Sequence, residues 1–172
     1  AGEGSRTPVV LIPGIFETWR FLRPLAQHIH ASGHPVHVVT ALEDNRMSVP
    51  EAAALVQRHL DEQDLTDVVI VAHSKGGLIA KYLMGMPDSG PRIRTTVAVA
   101  TPFGGSSLAR FIPISSVRAL MPSSPGLVRL ALNRAVNAQI ISVWGWFDPH
   151  VPAGSRLEGA RNIELDVGGH FR

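Results

Sequence analysis

The stretch Val68-Val69-Ile70-Val71-Ala72-His73-Ser74-Lys75-Gly76-Gly77 decides the fold. Its first five residues are continuously apolar, as a strand covered on both faces requires. The run then breaks into serine and two glycines. Beyond them Ile79, Tyr82, Leu83 and Met86 recur at helical spacing, closed by the turn Asp88-Ser89-Gly90-Pro91. A strand that turns at once into a helix is half of a β-α-β unit.

The same grammar repeats on both sides. Val9-Val10-Leu11-Ile12 is a short apolar strand ending at Pro13-Gly14. Leu22, Leu25, Ala26 and Ile29 then make a helical stripe, with Pro24 near its start and Gly33 at its end. Val36 to Thr40 reads as the next strand. Ser48-Val49-Pro50-Glu51 is a capping box, and Val49, Ala52, Ala53, Val56 and Leu60 form the face behind it. Thr95–Ala100, Gln139–Trp144 and Asn162–Leu165 complete six strand candidates. Repeated β-then-α with short connections predicts an α/β fold, a parallel sheet of about six strands with helices on both faces. There is no internal repeat and no linker, so residues 1–172 are expected to form one domain. Residues 103–138 break the rhythm. They are too long for a plain loop, and short helices over the sheet, a small cap or lid, are the expectation.

Composition narrows the function. The chain is 45% hydrophobic and 17% charged, with 16 basic against 14 acidic residues. A net charge of +2 without a basic run argues against nucleic acid. The absence of cysteine excludes disulfides, thiolate metal sites and a cysteine nucleophile. No apolar run approaches the ~20 residues of a membrane span. The chain starts at Ala1 without methionine or signal peptide, as either a processed secreted form or a trimmed chain would; the compartment stays open, with secretion slightly favoured over the cytoplasm.

The chemistry centres on Ser74. A nucleophile on a tight strand-to-helix turn needs small residues two places to either side, and Ala72 and Gly76 supply them. Read alone, Ser74 could equally be an ordinary N-cap. Its place at the carboxyl edge of a parallel sheet, where ligands bind, favours the nucleophile. The backbone N–H of Lys75 would then be one oxyanion donor, and the N–H of Ile15, in the loop Pro13-Gly14-Ile15-Phe16, the second. Pro13-Gly14 by itself is also a common turn.

A serine hydroxyl needs a base. His28, His30 and His59 lie in helical segments, His34 and His37 flank an early strand, and His73 is expected to point away from the site. His150 lies too close to Asp148 in sequence. His170, after the sixth strand and Gly168-Gly169, is the expected base. Asp148, after the fifth strand, is the expected acid; Asp166 is its rival, and Asp148-Pro149 could simply form a turn. Phe16, Phe103 and Val151 are the candidates for substrate contact. The apolar residues of 103–138 either complete an acyl pocket or only cover core.

These motifs stand in the order of the α/β-hydrolases. Thr7–Ile15 resembles the first strand and oxyanion loop of the small Bacillus-type secreted lipases, and Val69–Gly77 resembles their nucleophile elbow. Ser155–Asn162 with Gly168-Gly169-His170 is similar to their run into the catalytic histidine. The resemblance implies a minimal α/β-hydrolase fold and a serine carboxylester hydrolase acting on neutral small-molecule or lipid acyl esters. Ser74, Asp148, His170, Ile15 and Lys75 would be its machinery, with no cofactor, no metal, a monomeric state and at most transient contact with a lipid interface. An acyltransferase, thioesterase or amidase would use the same machinery. A catalytically silent binding protein would keep only the fold.

Four departures from that family stand out. Pro13 replaces a histidine. Lys75 replaces a methionine and would place a cation beside the site. The 103–138 segment is longer, and its opening Thr101-Pro102-Phe103-Gly104-Gly105-Ser106 is similar to a motif of larger bacterial lipases. The chain ends two residues after His170, short of the position of the family's last helix.

Overall fold

A computed structural model describes residues 4–170 of the chain. Six parallel strands form one sheet in the order β2-β1-β3-β4-β5-β6. They are β1 (Val9–Ile12), β2 (Val36–Val38), β3 (Val68–His73), β4 (Ile93–Val99), β5 (Ile140–Phe147) and β6 (Arg161–Gly168). The order reverses beside β1, and β3 and β4 take the two central positions. Val10, Leu11 and Ile12 of β1 are wholly buried, each burial contributing roughly 1.5–3 kcal/mol.

Helices α1 (Arg23–Ala31), α2 (Val49–Glu62) and α3 (Lys75–Met84) connect the early strands. The capping box at Ser48 forms as its sequence predicts: Ser48 Oγ accepts the Glu51 N–H, and the Glu51 carboxylate accepts the Ser48 N–H at 2.8 Å. The second strand is shorter than expected. It stops at Val38, and Thr40–Leu42 coils into a 3-10 turn that sinks Leu42 into the core.

The two sheet faces are covered unequally. Val10, Ile12, Ile70, Ala72 and Ala98 face the larger core, which Val56 and Leu60 of α2 and Leu78, Ile79 and Leu83 of α3 complete. The opposite face has a smaller cluster, Val9, Leu11, Leu22 and Val36, with α1 residues Ala26 and Ile29 against it. Farther along that second face Val97, Val99, Ile141 and Val143 are only half-buried, and Leu165 on β6 is exposed.

Residues 103–138 fold as short helices: a 3-10 turn at Ser107–Phe111, α4 (Ser115–Arg118) and α5 (Pro125–Leu132). Ala109, Val117, Leu120, Leu127 and Leu130 anchor this segment in the larger core. Among the described residues, no helix is long and apolar enough to cross a membrane.

Candidate active site

Ser74 stands alone between the end of β3 and the start of α3, with φ 50° and ψ −123°. Such a backbone costs a non-glycine residue of order 1–3 kcal/mol and persists only where its surroundings impose it. Here they do. The Ser74 N–H donates to the carbonyl of Val99 at 2.8 Å, and α3 is pressed against β1 and the segment after β4. A β-carbon on Gly76 would lie 2.4 Å from the Ile12 carbonyl oxygen, and one on Gly77 would lie 2.0 Å from Thr101 Oγ1. Both glycines are needed for close approach, which is the physical content of the small-residue pattern.

His170 arrives from the far edge of the sheet. After β6, Gly169 takes φ 112° and donates its N–H to the Phe147 carbonyl at 2.7 Å. That bond ties the turn to the end of β5 and swings His170 inward. Asp148 follows β5 directly. Its Oδ1 accepts the N–H groups of His150 at 2.8 Å and Val151 at 3.2 Å, so it does form a turn. The turn aims the other oxygen: Oδ2 lies 2.6 Å from His170 Nδ1. His170 Nε2 in turn lies 3.0 Å from Ser74 Oγ. Ser74, Asp148 and His170 are each 7% exposed, which keeps bulk water from loosening these bonds. Asp166, by contrast, lies on exposed β6. Burial lowers the His170 pKa below the usual imidazole value; Asp148 opposes this, and the charges of His73 and His150 reinforce it. A buried imidazole kept neutral is suited to accept a proton near pH 7.

A cavity of about 460 Å³ opens onto Ser74 and His170, lined by Ile15, Phe16, Leu108, Ile112, Leu120 and Val151 among others. Phe16 and Val151, two of the candidates for substrate contact, line this cavity. Phe103 does not. It is 6% exposed and belongs to the core beneath the cap, because Gly104-Gly105 turns the chain just beyond it. Ile15 lines the cavity from the loop after β1, and Lys75 begins α3 beside Ser74.

Lys75 places no cation at the site. Its side chain is 1% exposed, and its ammonium donates to the backbone carbonyls of Asn45 (2.7 Å) and Met47. Burial pushes its pKa down to about 8, against the opposing charges of Glu51 and Asp44.

His73 also departs from expectation. Rather than pointing away, it packs its ring 4.9 Å from that of His170, and its Nε2 donates to the His170 carbonyl at 3.0 Å. Its Nδ1 faces the Glu17 carboxylate at 2.9 Å. Glu17 also accepts the Gly14 N–H at 2.7 Å, bracing the loop that holds Ile15. Sequence analysis missed Glu17 and Asn45, whose amide donates to the Pro13 carbonyl at 2.7 Å. No local signal marks them, since each acts on a segment remote in the chain or across a turn. Among the described residues, Asp148, His150 and His170 bring ligand atoms within 4.8 Å of one another. A metal there would have to break the Asp148–His170 bond.

Comparison with known proteins agrees with the fold. A mature lipase of Bacillus licheniformis, BlEst2, superposes with a TM-score of 0.73 at 15% identity, over 99% of this chain and 86% of that one. A monoacylglycerol lipase of Paleococcus ferrophilus gives 0.66 at 18% identity, over 95% and 87%. A protein of Mycobacterium tuberculosis described as a non-heme bromoperoxidase, BpoC, gives 0.73 at 17%, over 98% and 84%. At such identities the likeness establishes the α/β-hydrolase fold, and the differing descriptions show that fold alone does not name a reaction. No curated protein matches the chain in sequence. The family model of the PGAP1-like alpha/beta domain matches residues 36–121, half of the chain and the half that contains the Ser74 turn. With the six-stranded sheet and the Ser74 turn in place, the chain belongs to the PGAP1-like alpha/beta domain family.

Proposed function

We propose that this protein is a serine carboxylester hydrolase acting on neutral acyl esters. The observation behind this reading is the unbroken relay from Asp148 Oδ2 through His170 to Ser74 Oγ at 2.6 and 3.0 Å, set at the floor of an apolar cavity. Ser74 Oγ attacks the acyl carbonyl while His170 takes its proton. The oxyanion is held by the N–H groups of Ile15 and Lys75. Collapse expels the alcohol with the proton returned by His170, leaving an acyl-enzyme on Ser74. His170 then deprotonates water, which attacks the acyl carbon; the acid leaves and Ser74 recovers its proton. Asp148 holds the imidazole tautomer and stabilises the imidazolium throughout.

The rim of the cavity favours substrates presented by a lipid surface. Phe111 is 68% exposed, Leu108 43% and Ile114 41%, and Arg110 and Arg118 stand among them, with no acidic residue between 103 and 138. Such a strip fits transient contact with a lipid interface.

The test is labelling with a fluorophosphonate, paired with a chain-length series of nitrophenyl esters on the native chain and Ser74→Ala. Stoichiometric labelling at Ser74 and loss of ester cleavage in Ser74→Ala are expected. An unlabelled, inactive native protein would overturn the reading and leave a binding module. Matched oxygen ester, thioester and amide substrates, with and without an added alcohol acceptor, separate hydrolysis of esters from the other reactions open to this triad.

A further inference from the structure

The histidine next to the nucleophile has acceptors on both ring nitrogens. Nδ1 of His73 lies 2.9 and 3.0 Å from the two carboxylate oxygens of Glu17, and Nε2 lies 3.0 Å from the backbone carbonyl of His170. A neutral imidazole offers only one N–H. Meeting both acceptors takes one more proton, held on His73 as an imidazolium or on Glu17 as a carboxylic acid. The two side chains are 5% and 10% exposed, so water does not readily replace a missing bond. Each end of the pair grips a different part of the site. Glu17 holds the Gly14 N–H in the loop bearing Ile15, and His73 holds the backbone of the residue expected to be the base.

We infer that His73 and Glu17 form a proton-holding clamp that positions the oxyanion loop and the backbone of His170 together, and that loss of the shared proton limits activity on the alkaline side. This rests on the proposed ester-hydrolase chemistry, in which both are positioning residues. Among the described residues, His73 is faced by Glu17 on the β1 loop, the carbonyl and ring of His170, the more distant charge of Asp148, and the Phe21 ring at 5.1 Å; His150 stacks behind His170 at 4.9 Å. Burial pulls the His73 pKa down. The hydrogen bond and charge of Glu17, the His170 carbonyl and the charge of Asp148 outweigh it, and the net shift is upward. Once protonated, His73 holds the His170 pKa down, so the clamp and the free base coexist over one pH range.

Two measurements test this. Ring 15N NMR of histidine-labelled protein follows each imidazole without any catalysis. Both nitrogens of His73, or one together with a protonated Glu17, should keep their protons well above the pH at which His170 loses its own. The pH profile of kcat/KM on a soluble acyl ester is then compared between the native chain and Glu17→Gln. The isosteric amide carries its own N–H, which donates to Nδ1 of a neutral His73 while its oxygen accepts the Gly14 N–H, so the clamp no longer depends on the extra proton and the alkaline limb should move up by at least one pH unit. Glu17→Asp, which keeps an ionisable carboxyl, should leave the limb closer to its native position. Lys75, whose ammonium burial pushes down to about 8, is bound to Asn45 and Met47, and a limb due to Lys75 would not move in Glu17→Gln. An unmoved limb in the folded variant, or a singly protonated His73 beside an ionised Glu17 at the activity optimum, would overturn the clamp. Failure of the ester-hydrolase reading shows separately, as absence of fluorophosphonate labelling at Ser74.

Discussion

The amide of Asn45 donates to the carbonyl oxygen of Pro13 at 2.7 Å, while the backbone and side-chain oxygens of the same asparagine accept the buried ammonium of Lys75. One wholly buried residue thus ties the loop after β1 to the first residue of α3, the two segments expected to supply the oxyanion donors. Asn45 adopts φ 53°, so glycine is the substitution that removes the side chain without adding backbone strain. Asn45→Gly should cost about 1–3 kcal/mol in urea unfolding, since it leaves buried partners unsatisfied. It should also lower kcat more than it changes KM. A normal kcat would dissociate this tether from catalysis.

Gly77 has no room for a side chain against Thr101. Gly77→Ala should destabilise by about 1–3 kcal/mol through overpacking. Adding Thr101→Ala removes the nearest atom and should recover part of that loss, though not all, because the Thr101 β-carbon would remain 2.8 Å away. Additive rather than compensating effects in the double variant would contradict the contact.

Lys75 and Lys81 are each 1% exposed, and burial pushes both ammonium groups down to about 8, helped at Lys81 by Arg134. The folded protein releases these protons at lower pH than the unfolded chain, whose lysines titrate near 10.5. Between those values the unfolded state binds more protons, so their contribution to stability rises with pH. Each lysine adds at most about 3 kcal/mol across that window. Urea midpoints from pH 7.5 to 10 should climb more steeply in the native chain than in Lys75→Met. Parallel curves would show that Lys75 is not desolvated as described.

In the proposed ester hydrolysis, the lowered pKa of His170 sets the acid side of activity. The base must be unprotonated, so kcat/KM should fall as pH drops through that pKa, below the ordinary value of 6.5. Asp148→Asn keeps the shape of the side chain but stabilises the wrong imidazole tautomer, and kcat should fall about 10,000-fold. A loss below tenfold would remove Asp148 from the mechanism.

Phe111 lies outside the cavity lining and is 68% exposed. Phe111→Ser should leave cleavage of a soluble short-chain ester unchanged and reduce the rate on vesicle-borne or emulsified ester several-fold. Equal rates on both would argue against lipid contact by this strip.

The elements that sequence makes legible are those whose causes are local. The apolar runs of β1 and β3, the capping box at Ser48 and the crowding around Ser74 each depend on neighbours a few residues away. Phe103 was misplaced for the complementary reason. Whether an aromatic residue faces the cavity or the core depends on a turn at Gly104-Gly105 and on Leu120 and Leu127 packing from later in the chain. Lys75 looked like a cation at the site because sequence adjacency places its backbone there. Its side chain follows the first turn of α3 toward carbonyls on another loop.

Alternating apolar periodicities in this chain suffice to specify a parallel sheet with Ser74 at its carboxyl edge, because backbone sterics and burial act over short distances. The convergence of Asp148, His170 and Ser74 could be expected from their order, but their hydrogen-bond distances arise only when β5 and β6 pair and Gly169 bends. The His73–Glu17 pair and the Asn45 tether belong wholly to tertiary structure. Their partners are brought together by folding, and each buried polar group takes whichever partner is near enough to satisfy it.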